Sequence, residues 1–283
     1  MNTTIEKLPK KTYKLTITVE KNAVDEAFEH TLGHFAEHVK VEGFRQGKAP
    51  INMVKEKVDK GKLNGEVINH LIPHYYSAAL KEHKINPIIS PKIEIAQFEE
   101  GKEMVFTAKI VEKPDIALGD YKNLVKTLKS KEKDKKPTIE NIISRILETV
   151  KIEIPDLLIE EEVTNMFSSL IDQTARLGIT VEDYLKSQNR TVEALKTEYS
   201  KIAEYNIRAD LLLNEIANAE KIEVSEEDIK KTIEAAPDKE TREALSNENQ
   251  KWYIKSILKK NKVIQYLLNL VFDENEGSPE NFK

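Results

Sequence analysis

The residues best suited to binding chemistry lie in one short stretch, VEGFRQGKAP at positions 41–50. Gly43 and Gly47 allow backbone conformations that other residues adopt at a cost, so the chain between them can form a tight protruding loop. Phe44 and Arg45 then lie at its tip. The phenyl ring offers an apolar anchor, and the guanidinium offers donors for a carboxylate, a phosphate or backbone carbonyls. The pattern predicts a docking loop, with a plain surface turn as the alternative.

The spacing of the same loop excludes a nucleotide-binding P-loop. That motif needs four residues between its first glycine and its Gly-Lys pair, followed by Ser or Thr. Here three residues separate Gly43 from Gly47, and Ala49 follows Lys48. Pro50 suits the first position of a helix, and apolar residues follow it at helical spacing.

Five of the six histidines recur at steps of four, which raises the question of a metal site. Three belong to one helical pattern and two to another, at positions 30, 34, 38, 70 and 74. Imidazoles at this spacing share a helix face and can ligate zinc or nickel. The apolar residues of the first pattern lie on its other side, so a solvated histidine face is the preferred interpretation, and no metal site is predicted.

Catalytic signatures are missing from the sequence. There is no cysteine, no G-x-S-x-G elbow, no HExxH motif and no glycine-rich dinucleotide turn. An enzyme is therefore not predicted, and no cofactor is expected.

The elements that must position the loop form an α+β pattern over residues 1–114. Strict alternation predicts a strand at 11–20, and Asn22 is expected to cap the helix that follows it. A second helical pattern comes after the loop, and Pro73 is expected to kink or divide it. Two strands near 92–98 and 103–111 close the domain.

The rest of the chain is helical in pattern. Residues 115–136 hold a charged run and read as a linker with at most one short strand near 124–128. Apolar stripes at helical spacing then run through 137–272, and a disordered tail is expected at 273–283. The longest predicted helix, 191–220, carries Asn206 in its apolar stripe. A register-fixing polar contact is the preferred interpretation of this residue, and an exposed position is the alternative.

Charge is distributed unevenly along the chain. Residues 1–114 carry 18 Lys and Arg against 16 Asp and Glu, whereas the remainder carries 26 against 33. The first part is therefore better suited to a negatively charged surface than the second. The absence of cysteine fits a reducing compartment, and no signal peptide or membrane span is evident, so a cytoplasmic protein is expected.

At the loop the chain resembles the trigger factor family of ribosome-associated bacterial chaperones. The shared signature consists of Gly43, Phe44, Arg45, Gly47, Lys48 and Pro50. The family usually has Lys where this chain has Gln46, which removes one positive charge from the tip and predicts weaker docking. Two helical stretches, 150–163 and 178–229, also resemble the family's C-terminal domain.

The resemblance implies an α+β ribosome-binding domain followed by an elongated all-α domain that cradles clients. Its partners would be ribosomal protein and rRNA of the large subunit at the tunnel exit, and nascent or unfolded polypeptides. The family's prolyl isomerase domain would lie at 115–136, but a domain with its own core needs about 50 residues, so its absence is inferred. An ATP-independent chaperone that shields nascent chains during folding and export is the expected function.

Client contacts are expected from the apolar positions of the helical part, with Met166, Phe167 and Leu267 as candidates. A ribosome-independent holdase or assembly chaperone remains an alternative, and a prolyl isomerase with an unusual site is a second one. A homodimer off the ribosome is left open.

Overall fold

A computed structural model describes residues 2–45, 47–128 and 138–272. The chain divides into two compact units, Met1–Lys113 and Pro114–Lys283. Outside the described residues lie Met1, Gln46, positions 129–137 with the whole charged run, and the tail predicted at 273–283. No helix in the described ranges is long and apolar enough to cross a membrane.

Unit 1 is built on a four-stranded antiparallel sheet in the order β1-β2-β4-β3. Its strands are β1 (Asn2–Leu8), β2 (Thr12–Val19), β3 (Lys92–Gln97) and β4 (Met104–Val111). The central pair places Ile17 opposite Phe106, and both side chains are fully buried. Because side chains alternate along a strand, one face of the sheet forms the core and the other carries polar residues. Three strands match the predicted ones, and β1 was not predicted.

Three helices complete the core of unit 1: α1 (Lys21–His38), α2 (Ile51–Lys57) and α3 (Lys60–His83). α1 begins after Glu20 without a side-chain cap, so the prediction that Asn22 caps it is wrong. α3 continues through Pro73, so the helix is not divided there. Asp59 caps α3 by accepting a hydrogen bond from the Lys62 amide at 2.8 Å.

All the regular secondary structure in the described part of unit 2 is helical. Its helices are α4 (Tyr121–Leu128), α5 (Ile139–Thr149), α6 (Asp156–Arg176), α7 (Val181–Ser187), α8 (Val192–Ala219), α9 (Glu226–Glu234), α10 (Lys239–Leu245) and α11 (Glu248–Phe272). Hydroxyl caps at Thr138, Thr180 and Thr191 start three of them, and Ser225 and Asp228 form a capping box at the start of α9. α10 was not predicted.

The predicted linker at 115–136 is wrong where α4 lies. Tyr121 and Val125, four residues apart on one helix face, are buried, and α4 packs against α5 and α11. Burial of this face explains why the segment forms a helix rather than an open linker or a strand. The register-fixing contact preferred for Asn206 is also wrong, because its side chain is exposed, as the alternative interpretation had it.

Candidate functional site

The 43–50 loop connects α1 to α2 and has the tight conformation predicted for it. Gly43 and Gly47 both have positive φ, +82° and +79°. Added Cβ atoms would meet no neighbour within 4 Å at either glycine, so backbone conformation rather than space favours glycine there. The Phe44 amide donates to the Val41 carbonyl at 3.2 Å, and the Lys48 amide donates to the Arg45 carbonyl at 2.9 Å.

Both ends of the loop are anchored to the core of unit 1. Val41 before the loop and Val54 after it are buried in that core, and Ala49 packs against it. The Gly47 amide donates to the carbonyl of Ala36 in α1 at 3.2 Å. Pro50 occupies the N-cap position of α2, directly before its first residue. The loop is therefore held by its ends while its central residues stay outside the core.

The side chains at the tip are exposed. Phe44 is 42% exposed, and Arg45 and Lys48 are exposed as well. Neither cation makes an ion pair within the part of the chain that the structure describes. An exposed aromatic ring beside an unpaired guanidinium can bury apolar surface and donate charge-assisted hydrogen bonds to the same partner.

α2 adds two exposed apolar side chains, Ile51 and Met53, which sequence reasoning did not select. Apolar spacing places Ile51 with Val54 and Val58 on one face, but only the two valines are buried. Helix spacing alone identifies an apolar face without showing how much of it the core covers. The exposed apolar surface of the loop region therefore extends from Phe44 into the first turn of α2.

One of the two lysines of α2 has its charge already paired and is less available for contacts with an anionic partner. The ammonium of Lys55 pairs with the carboxylate of Glu100 at 2.5 Å. Glu100 lies in the β3–β4 connection, so this half-exposed pair links α2 to that turn. Lys57 lies in the last turn of α2 and is exposed.

Four histidines, three of α1 and His70 of α3, line a cleft of about 290 Å³, whereas His74 and His83 of α3 lie outside it. The ring centroids of His30 and His34 are 4.6 Å apart, and His30 stacks on His70 at 5.6 Å. His38 and Glu66 also line this cleft. The imidazoles are exposed, and no group of three or more His, Cys, Asp or Glu side chains in the described ranges is arranged to hold a metal ion.

A larger cleft of about 540 Å³ lies between α6 and α8 in unit 2. Its lining is mostly apolar, from Ile159, Val163, Phe167 and Val192, with polar groups from Glu160, Thr164, Lys196 and Ser200. Phe167 also packs against Tyr199, with ring centroids 5.1 Å apart. A concave apolar surface with polar groups at its edges can accept an unfolded segment through many weak contacts.

Two of the three predicted client-contact residues are near this cleft or on its helix. Phe167 lines the cleft and Met166 is half-buried beside it on α6. Leu267 is fully buried in α11, so its prediction as a surface contact is wrong. An apolar stripe on α11 does not reveal which of its residues the neighbouring helices cover, and α4 and α8 both pack on this helix.

Comparisons with known proteins point to one family. Residues 1–146 match the family model described as "Bacterial trigger factor protein (TF)", and residues 121–269 match the model for its C-terminus. Trigger factor of Desulforamulus reducens is 35% identical over 187 residues, which cover 65% of this chain and 43% of that protein. Trigger factor of Clostridium acetobutylicum is 33% identical over 179 residues, 63% of this chain and 36% of that protein. The chain thus spans less than half the length of these curated relatives.

The fold has a match among solved structures. A chain described under "Promiscuous Substrate Recognition in Folding and Assembly Activities of the Trigger Factor Chaperone" superimposes with a TM-score of 0.66. The match covers 95% of this chain and 99% of that chain, at 13% sequence identity. At this identity the likeness establishes the α+β and all-α fold and nothing about ligands.

Proposed function

The chain belongs to the trigger factor family, and we propose that it is an ATP-independent chaperone that docks at the exit of the ribosomal tunnel and shields nascent polypeptides. Unit 1 docks through the 43–50 loop, and unit 2 holds the client. The observation that carries docking is the exposed Phe44–Arg45 pair on a loop anchored at both ends. Cytoplasmic localisation follows from this role.

The expected strength of these contacts predicts that docking is reversible. Burying Phe44 contributes roughly 1.5–3 kcal/mol, and a charge-assisted hydrogen bond from Arg45 about the same. Together they fall short of the roughly 8 kcal/mol of a micromolar complex. Ile51 and Met53 add apolar surface, and Lys48 adds a cation toward RNA phosphates. Docking is therefore reversible and weakened by salt, as expected for contacts with a polyanion.

The client side rests on the cleft between α6 and α8. Phe167 and Val192 give it apolar contact area, while Lys196 and Glu160 lie at its polar part. Such a surface binds many sequences weakly, because apolar burial depends on area rather than on a fixed arrangement of donors. The client surface thus belongs to unit 2, in which acidic residues outnumber basic ones, whereas the contacts with RNA belong to unit 1.

We infer further that the protein works without prolyl isomerase activity. β4 ends at Val111 and α5 begins at Ile139, and this interval includes α4, which packs on α5 and α11. So short an interval is below the roughly 50 residues that a domain with its own core needs. A tetrapeptide isomerisation assay tests this directly, because the uncatalysed reaction takes tens of seconds. Catalysis above that rate would overturn the inference.

Co-sedimentation with bacterial 70S ribosomes tests docking. The parent chain is compared with a Phe44→Ala, Arg45→Ala variant at low and moderate salt. A matched control is Ile88→Ala, Lys81→Ala in the same unit, since Ile88 is 43% exposed and Phe44 42%. Loss of about 3 kcal/mol predicts roughly 100-fold weaker binding for the loop variant and unchanged binding for the control.

The alternative outcomes separate the candidate functions. Equal binding by the parent and the loop variant, or no binding by either, would refute docking through the loop. If the parent then still suppresses aggregation of an unfolded client, the ribosome-independent holdase is the better account. A homodimer off the ribosome is tested by sedimentation velocity of the same preparation.

A further inference from the structure

The N-terminal half of α11 carries an aromatic and basic surface that no element in the described part of unit 2 covers. Trp252, the single tryptophan of the chain, is 71% exposed, and Tyr253 beside it is 57% exposed. Ile254 on the same helix is buried against α9, in a cluster with Ile229 and Ile233. Two residues along a helix turn the side chain by about 200°, so Trp252 lies on the side of α11 opposite this cluster.

Two lysines continue the line of Trp252 along the helix. Lys255 and Lys259 follow it at three and seven residues, and this spacing places all three side chains on one face. Lys255 is exposed and makes no ion pair within the described ranges. Lys259 donates to the neutral Oδ1 of Asn218 at 2.9 Å, so its charge is not neutralised there.

The neighbouring charged groups of α11 from Glu248 to Lys262 are already paired. Lys251 pairs with Glu248 at 2.9 Å, and Lys262 pairs with Asp228 of α9 at 2.8 Å. Lys260 pairs with Asp210 of α8. The surface next to Trp252 therefore has a local positive charge from Lys255 and Lys259, although unit 2 has more acidic than basic residues.

We propose that the face formed by Trp252, Lys255 and Lys259 binds polypeptide segments in which an apolar side chain is followed by acidic residues. This inference rests on the proposed chaperone function and names a preference within it. The apolar residue packs on the indole, and the carboxylates pair with the two ammonium groups. A segment with lysines in those places meets like charges instead.

The spacing along the helix defines the segment more closely. Trp252 and Lys259 are separated by about 10 Å along the axis, at 1.5 Å per residue. An extended chain covers a similar distance in about three residues. The favoured segment thus has an acidic residue three positions from its apolar residue, and a second acid between them can reach Lys255.

Trp252 itself is the reporter for the test. Because no other tryptophan is present, its fluorescence follows binding at this face directly. The full chain is titrated with two tryptophan-free peptides of equal length and apolar content, one with Asp and Glu around its Phe and one with Lys. Two ion pairs in place of two like-charge contacts predict about tenfold tighter binding of the acidic peptide at low salt, and a smaller ratio at high salt.

A charge-reversal variant and a matched control complete the design. Lys255→Glu, Lys259→Glu is expected to reverse the preference, so that the basic peptide binds more tightly. Lys126→Glu, Lys151→Glu makes the same change in net charge at two other exposed lysines of unit 2 and is expected to retain the acidic preference. Circular dichroism confirms that both variants keep their helices.

The outcomes distinguish this inference from the function on which it rests. Equal binding of both peptides, or a preference that both variants lose alike, would overturn the inference. Suppression of aggregation by the same preparation would then leave the chaperone function intact. Failure to bind either peptide together with failure to suppress aggregation would overturn both.

Discussion

Replacing Glu220 by glutamine is expected to loosen the attachment of α4 to the rest of unit 2. The Tyr121 hydroxyl donates to Glu220 Oε1 at 2.7 Å, and the Lys122 ammonium donates to Oε2 at 2.8 Å. Tyr121 is buried, and only 19% of the Glu220 side chain is exposed. One carboxylate at the end of α8 thus accepts hydrogen bonds from two consecutive residues of α4.

The magnitude follows from the charge of the acceptor. Hydrogen bonds to charged groups contribute about 1.5–3 kcal/mol each, but glutamine still accepts one bond from Tyr121. The expected loss in the free energy of unfolding is therefore about 1–2 kcal/mol. This corresponds to a urea midpoint lower by on the order of 0.5 M.

The effect depends on pH in a defined direction. Burial raises the pKa of Glu220, but the hydrogen bonds from Lys122, Tyr121 and Tyr266 outweigh it and hold the pKa below the ordinary value of 4.5. A carboxyl with a lowered pKa in the folded state stabilises the protein above the unfolded value. That contribution is present above about pH 4.5 and is lost as the pH falls through the lower, folded-state pKa.

Urea unfolding followed by circular dichroism measures the difference between the parent and Glu220→Gln, because unit 2 is helical. Glu204→Gln is the control, since Glu204 is an exposed residue of the same helix. The variant should be less stable at neutral pH, and its difference from the parent should close in acid. An unchanged midpoint at neutral pH, or a difference that persists at low pH, would refute the role of the charged carboxylate.

Three further changes have definite expected results. Gly33→Ala within α1, where an added Cβ meets nothing within 4 Å, should raise the free energy of unfolding by about 0.5–1 kcal/mol. Gly47→Ala should lower it by about 1–2 kcal/mol, because Gly47 has a positive φ. A thermal unfolding experiment in which both variants shift stability in the same direction would contradict this pair of predictions. Ile146→Ala in the core of unit 2 should cost about 2–5 kcal/mol, and a smaller change in urea midpoint would mean that the site collapses around the cavity. Asp228→Asn should destabilise α9 at neutral pH, because hydrogen bonds from Lys262 and then Ser225 lower the pKa of Asp228 to about 2. The difference in stability between the parent and the variant should disappear as the pH falls from 3.8 through about 2. Acid titration followed by circular dichroism measures it.

Local sequence signals predicted most elements of the fold. Alternation of apolar residues located β2, and strand patterns near 92–98 and 103–111 located β3 and β4. Hydroxyl residues stand directly before α5, α7, α8 and α9 and cap them. These signals work because strand alternation and helix capping depend on residues close together in the chain. Glycines four residues apart likewise predicted the 43–50 loop, since positive φ is a local property.

Long-range contacts decided the rest. β1 has few apolar residues and is a strand because it pairs with β2, and α4 is a helix whose buried face is covered by α5 and α11. Contacts between distant elements likewise decide that Leu267 is buried while Asn206 and Ile51 are exposed. They also bring Lys55 of α2 to Glu100.

What the sequence by itself determined was which residues share a helix face or a strand face, and which loop can bring Phe44 and Arg45 to a tip. Only the tertiary structure decided which of those faces another element covers. Trp252 illustrates the difference: its position in α11 follows from the helical pattern, but its exposure depends on where α9 packs. Burial is a property of contacts between residues distant in the chain, and local spacing carries no information about them.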